Sequence, residues 1–278
     1  MGYIDRSKVY RQFDSLHIPT VGKTDCVYHI SSYLEDKEGV SDRVNTSREF
    51  EVFRLNIDHL LSQTISQLDG FRMDLIVSIN GHISNPTYIE YLNSINGTNN
   101  GKVFITVFQR PNVGYQWGGL HDVWLRYKDV KCTWYVTTEA DVYMEDDIWY
   151  DTAVHKVNAS GNGYLGQNAR INMIHPFEAE SSPGMWYIGD SSPLVWRNGN
   201  GDIIKPTKEM TQHTRGGFYF CCDTLLRRMD EVYGNFTFSM GCNHEYDGII
   251  LGEVGFCHKI TALGYKLFKN EDMVRVRE

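Results

Sequence analysis

Thr133-Trp134-Tyr135-Val136-Thr137-Thr138-Glu139-Ala140-Asp141 decides the fold: a β-branched and aromatic run passes without a break into two acids separated by one residue. A segment that is apolar along nearly its whole length, rather than at alternate positions, suits a strand covered on both faces. The same pattern recurs upstream. Cys26–Ile30 ends in Ser31-Ser32, Met73–Ile79 closes on Asn80-Gly81, and Lys102–Gln109 leads into Arg110-Pro111-Asn112.

Helical patterns separate these runs. From Thr46 to Leu68, Phe50, Phe53, Ile57, Leu61, Ile65 and Leu68 recur at helical spacing, with Thr46 or Ser47 available as the N-cap. Pro86–Ile95 opens with a proline where a helix tolerates one, and Gly119–Tyr127 is a further helix. Strand and helix alternating in this way predict an α/β fold with a mainly parallel sheet and helices on both faces. Such sheets bind ligands at the carboxyl ends of their strands, where this chain places Ser31, Ser32, Asn80, Arg110, Asn112, Glu139 and Asp141.

Further on, residues 157–215 are rich in Gly, Ser, Asn and Pro and read as loops and short strands forming a wall or lid. Gly216-Gly217-Phe218-Tyr219-Phe220 restores a strand, Asp223–Val232 and Tyr246–Leu263 read as helices, and Tyr265–Phe268 as a closing strand. The whole of 1–278 is expected to form a single domain.

Composition narrows the function classes. With 41% hydrophobic and 22% charged residues in 278, the chain can bury a large core. A net charge of -8 without a dense Lys/Arg run speaks against a nucleic-acid partner. No apolar window is long enough for a membrane span and the first residues lack a signal peptide's apolar stretch, so a soluble, cytoplasmic protein is expected. Six cysteines in this length make no disulfide framework; Cys26 and Cys132 lie in apolar runs and read as buried thiols.

Glu139 and Asp141, at a strand's carboxyl end, can converge on one hard cation, Mg2+ or Mn2+, bridging phosphates. Arg110-Pro111-Asn112-x-Gly114 adds a guanidinium fork suited to phosphate and a glycine that permits close approach. Taken in order, Ser31-Ser32, Arg110-Pro111-Asn112-x-Gly114, Glu139-Ala140-Asp141, Gly216-Gly217 and His244-Glu245-Tyr246-Asp247 resemble a GT-A fold glycosyltransferase, most similar to the inverting family 2 type.

That resemblance covers residues 25–268. It implies a GT-A-like (Rossmann-like) domain, with about 25–156 binding a UDP- or GDP-linked sugar and about 157–270 holding the acceptor and the base. Asp141 would be the main metal ligand, joined by Glu139, which also contacts the donor. Ser31, Ser32, Tyr33, Asn80, Arg110, Asn112 and Gly114 would line the donor site, and Gly216, Gly217 and Trp186 the acceptor side. Glu245 would be the base, with Asp247, two residues on, as the fallback, and His258 could complete the metal site. The acceptor would be a glycan or other carbohydrate.

The chain departs from the family pattern in three places: Glu139 replaces an Asp, His244 replaces an acid, and no Arg-rich motif of processive enzymes follows. These departures leave room for a fold that keeps carbohydrate binding without catalysis. A sugar-phosphate nucleotidyltransferase would need a Gly-rich basic loop after the first strand, and Ser31–Glu35 supplies none.

Overall fold

Four strands, β1 (Thr24–Ser32), β2 (Met73–Asn80), β3 (Val103–Arg110) and β4 (Cys132–Glu139), run parallel. They are linked by α1 (Thr46–Ser62), α2 (Pro86–Ile95) and α3 (Tyr115–Tyr127). The computed structural model describes residues 23–34, 46–81, 83–110, 115–130, 132–161, 163–166, 197–204, 217–234, 236, 255–269 and 273–277. Its other elements are β5 (Val142–Met144), α4 (Trp149–Ala159), β6 (Gly163–Gly166), β7 (Phe218–Cys222), α5 (Asp223–Tyr233), α6 (Gly255–Ala262), β8 (Lys266–Lys269) and β9 (Val274–Val276).

Among the described residues the main sheet has seven strands in the order β3-β2-β1-β4-β7-β6-β8, and β5 pairs with β9 in a separate ribbon. β7 runs antiparallel to β4 and to β6, so the sheet is mixed but parallel through its amino-terminal half. The chain lays β2 and β3 to one side of β1 and then crosses back to place β4 on the other. That reversal puts α1 and α2 on one face and α3 on the other, as the right-handed rule for parallel crossovers requires.

Packing follows that division. Phe50, Phe53 and Ile57 of α1, Tyr88 and Leu92 of α2, and Trp149 of α4 cover Cys26, Tyr28 and Ile30. On the opposite face Trp117, Leu120 and Trp124 of α3, Leu225 of α5 and Phe256 of α6 cover Val27, Ile76 and Tyr135. Alternate residues of β1 thus feed two cores, which is why its sequence looks apolar throughout. Cys26 and Cys132 are buried free thiols, as expected.

The largest differences in described helix boundaries are at α1 and α3. α1 stops at Ser62 instead of Leu68 because the segment after β5 competes for its backbone. Gln63 Nε2 donates to the Met144 carbonyl at 2.8 Å, Thr64 N–H to Asp147 Oδ1 at 2.8 Å, and Ile65 N–H to the Asp147 carbonyl at 2.7 Å. Ile65 stays buried by adopting φ 68°, while Leu68 is left 54% exposed. α3, in turn, begins at Tyr115, ahead of Gly119.

Gly119 inside α3 has a specific cause. A Cβ there would lie 2.8 Å from two atoms of the His29 ring and 3.0 Å from Ser78 Oγ. In an open helix, alanine for glycine would stabilise by up to about 1 kcal/mol. Here Gly119→Ala should instead destabilise by about 1–3 kcal/mol through overpacking, read as a lowered thermal midpoint.

Candidate active site

The carboxyl edge of the parallel strands carries a row of polar side chains on the α3 face. The register sets Asn80 beside Arg110 and Ser31 beside Glu139, so the row crosses β3, β2, β1 and β4. Its centre lies between β1 and β4, where the direction of winding reverses and open α/β sheets form their crevice.

Three of these groups are joined. Arg110 Nε pairs with Asp122 Oδ2 of α3 at 2.8 Å, Arg110 Nη1 donates to Asn80 Oδ1 at 2.7 Å, and Asn80 Nδ2 donates to Ser31 Oγ at 2.8 Å. Arg110 and Asn80 are buried. The guanidinium expected to lie beside a diphosphate therefore holds Asn80 and Asp122 within the edge. Ser32 points to the α1 side, and its buried Oγ has no hydrogen-bond partner among the described residues. Tyr33 is half-buried just past β1.

Glu139 closes the row and is open to solvent. Its backbone N–H donates to the Gly217 carbonyl at 2.9 Å, and Gly217, buried at φ 111°, brings the start of β7 alongside. Although the residue keeps exposed surface, the Glu139 carboxyl is pushed up to about 7, first by desolvation against the packed end of the strand and then by the neighbouring Asp141 charge. Desolvation also raises Asp141, whose Oδ1 is buried without a hydrogen-bond partner among the described residues. Two acids that repel one another, one with an orphaned oxygen, form a donor set that a hard divalent cation would relieve. The residues present fit such an ion.

One layer beneath lies a polar knot that sequence reading missed. His29 Nδ1 is 2.8 Å from Thr137 Oγ1 and Nε2 is 2.7 Å from Ser78 Oγ, so the ring ties β4 and β2 to β1. Gln116 Nε2 donates to the same Thr137 oxygen at 3.3 Å. A signal was available: a histidine inside the apolar run Cys26–Ile30 needs partners, and Ser78 and Thr137 interrupt the neighbouring runs with small hydroxyls.

Burial holds His29 neutral, lowering its pKa from 6.5 to about 3, with the Arg110 charge adding to the effect. The unfolded chain therefore takes up this proton first as pH falls. His29's contribution to stability is complete above about 6.5 and is lost as pH drops toward 3. Comparing denaturant midpoints of the protein and of His29→Gln across that window should give a difference that changes by at most about 1.4 kcal/mol per pH unit.

His258 is buried on α6, and no group of three or more His, Cys, Asp or Glu able to hold a metal occurs among the described residues. It does not join Glu139 and Asp141 in such a set. Trp117 is core, stacked on Phe256 at 4.4 Å. Asn112, Gly114, Trp186, Gly216, Glu245 and Asp247 lie outside the described residues. No helix among the described residues is long and apolar enough to cross a membrane.

No family model matches the chain, and no curated protein matches it. Among solved structures it is similar to a Pyrobaculum calidifontis mannosyltransferase in complex with GDP-Man and Mn2+, with 13% identity, TM-score 0.48, and coverage of 90% of this chain and 56% of that one. It is also similar to residues 1–349 of S. aureus TarS in complex with UDP, with 10% identity, TM-score 0.45, and coverage of 90% and 60%. A third is a Bacillus anthracis protein assigned as a glucose-1-phosphate thymidylyltransferase, with 11% identity, TM-score 0.45, and coverage of 91% and 89%. The chain thus spans less than two thirds of the first two. Such likeness assigns no chemistry to this chain, which rests on its own residues.

Proposed function

We propose that the chain is a metal-dependent, inverting glycosyltransferase that moves a sugar from a UDP- or GDP-linked donor to a hydroxyl of a glycan or other carbohydrate. The observation that carries this reading is the acidic pair Glu139 and Asp141 beside the polar row at the sheet's switch point, where Asp141 Oδ1 is buried without a hydrogen-bond partner among the described residues. That crevice is where a nucleotide would lie in a sheet of this winding.

Asp141, with Glu139, would hold Mn2+ or Mg2+, which supplies neutralisation of the charge growing on the departing diphosphate. Ser31 and Asn80 present the nucleoside side of the crevice, kept in place by Arg110 and Asp122. Gly217 steadies the backbone of Glu139 and lines the acceptor side with Gly216 and Trp186. Glu245, or Asp247, takes the proton of the acceptor hydroxyl as that oxygen attacks the anomeric carbon and the nucleoside diphosphate leaves. Attack opposite the leaving group inverts the configuration.

Calorimetric titration of UDP, GDP and their sugar conjugates, with Mn2+ and again after chelation, tests the reading. Binding of one nucleotide that disappears with the metal is expected. Failure to bind any of them would move the chain to the non-catalytic reading, and sugar affinity indifferent to chelation would do the same.

A further inference from the structure

The acidic turn is held from outside by residues far away in sequence. β9 pairs antiparallel with β5 directly after the turn, with Arg275 opposite Tyr143 and Val274 opposite Met144. Past the ladder, Arg277 N–H donates to the Asp141 carbonyl at 2.8 Å. The Arg277 side chain lies over the Tyr143 ring, 4.2 Å from its centroid, and its Nε donates to Asn56 Oδ1 of α1. Asn56 is buried, and its Nδ2 donates to the Ala140 carbonyl at 2.6 Å.

The carbonyls of Ala140 and Asp141 are thus both fixed, one through Asn56 and the other directly by Arg277. β4 ends at Glu139 and β5 starts at Val142, so the two residues between them have no partner in the main sheet. Two carboxylates that repel one another spread apart unless the backbone beneath them is held. Converging them on one ion needs that backbone fixed to a fraction of an ångström.

We infer that Arg277 is a positioning residue for the acidic pair: together with Asn56 it sets the Glu139-Ala140-Asp141 turn in the form that takes the divalent ion. The inference rests on the metal reading of that pair. Arginine suits the task because its planar head stacks on Tyr143 while its Nε points along a fixed direction to Asn56. Lysine offers a single mobile ammonium.

The test is Mn2+ titration of the full chain and of Arg277→Ala and Arg277→Lys, with amide hydrogen exchange followed in each. The alanine variant should bind Mn2+ at least about 10-fold more weakly, in the range seen when groups that orient metal ligands are removed. The lysine variant should fall between it and the unaltered chain, and exchange should quicken over residues 140–144 while β1 and β2 keep their protection. Unchanged Mn2+ affinity in both variants would overturn the inference and leave the acidic pair as the metal site. Quickened exchange throughout the main sheet would show a merely structural role and also overturn it. Absence of Mn2+ binding by the unaltered chain would overturn the metal reading and the inference with it.

Discussion

Asp141→Asn is expected to remove the metal-dependent part of nucleoside diphosphate binding, by about 100-fold or more in apparent affinity, while leaving the fold at least as stable in chelator. The two halves come from the same observation. Asp141 Oδ1 is buried without a hydrogen-bond partner among the described residues, and desolvation raises its pKa, so the folded state works against the charged form. Asparagine keeps the shape and one oxygen but carries no charge, so that penalty vanishes. The charge is nevertheless what a hard cation needs, and changes even to groups that merely orient metal ligands cost 10- to 100-fold. Nucleotide titration with and without Mn2+, alongside thermal melts in chelator, reads both halves. Nucleotide affinity unmoved by the substitution would sink the metal role, and a large fall in the thermal midpoint would mark Asp141 as a structural acid.

The parallel strands of the amino-terminal half were legible because burial on both faces leaves a plain signature: apolar runs ending in small polar residues. The strand-end residues Ser31, Asn80, Arg110 and Glu139 could be named for the same reason. What each one touches could not. Arg110 looks like a phosphate ligand in sequence, yet Asp122 lies on the next helix at the distance where an ion pair forms. Asn56 and Arg277 carry no motif at all, because the turn they hold is a tertiary contact. The end of α1 was misjudged for a related reason: helical periodicity continues to Leu68, but hydrogen bonds from Gln63, Thr64 and Ile65 to residues 144–147 override it. The His29 knot was readable in principle, since a histidine in a buried strand demands partners.

Glu245→Ala should lower kcat by about 10²- to 10⁴-fold, the usual contribution of a general base, with donor affinity unchanged. The motif His244-Glu245-Tyr246-Asp247 offers two acids, and paired single variants separate them. A single base takes the acceptor proton, so one of the two acids carries the role. The two single variants should therefore differ sharply: Glu245→Ala inactive and Asp247→Ala close to normal if the reading is right, the reverse if the motif is offset. On the metal reading Glu139 would not compete for the role, because a carboxylate engaged with an ion beside the leaving diphosphate would sit on the wrong side of the anomeric carbon to assist the incoming hydroxyl. Matching, partial losses in both variants would contradict a single base on this segment. Single-turnover rates with donor bound in excess, together with the anomeric configuration of the product, distinguish these outcomes.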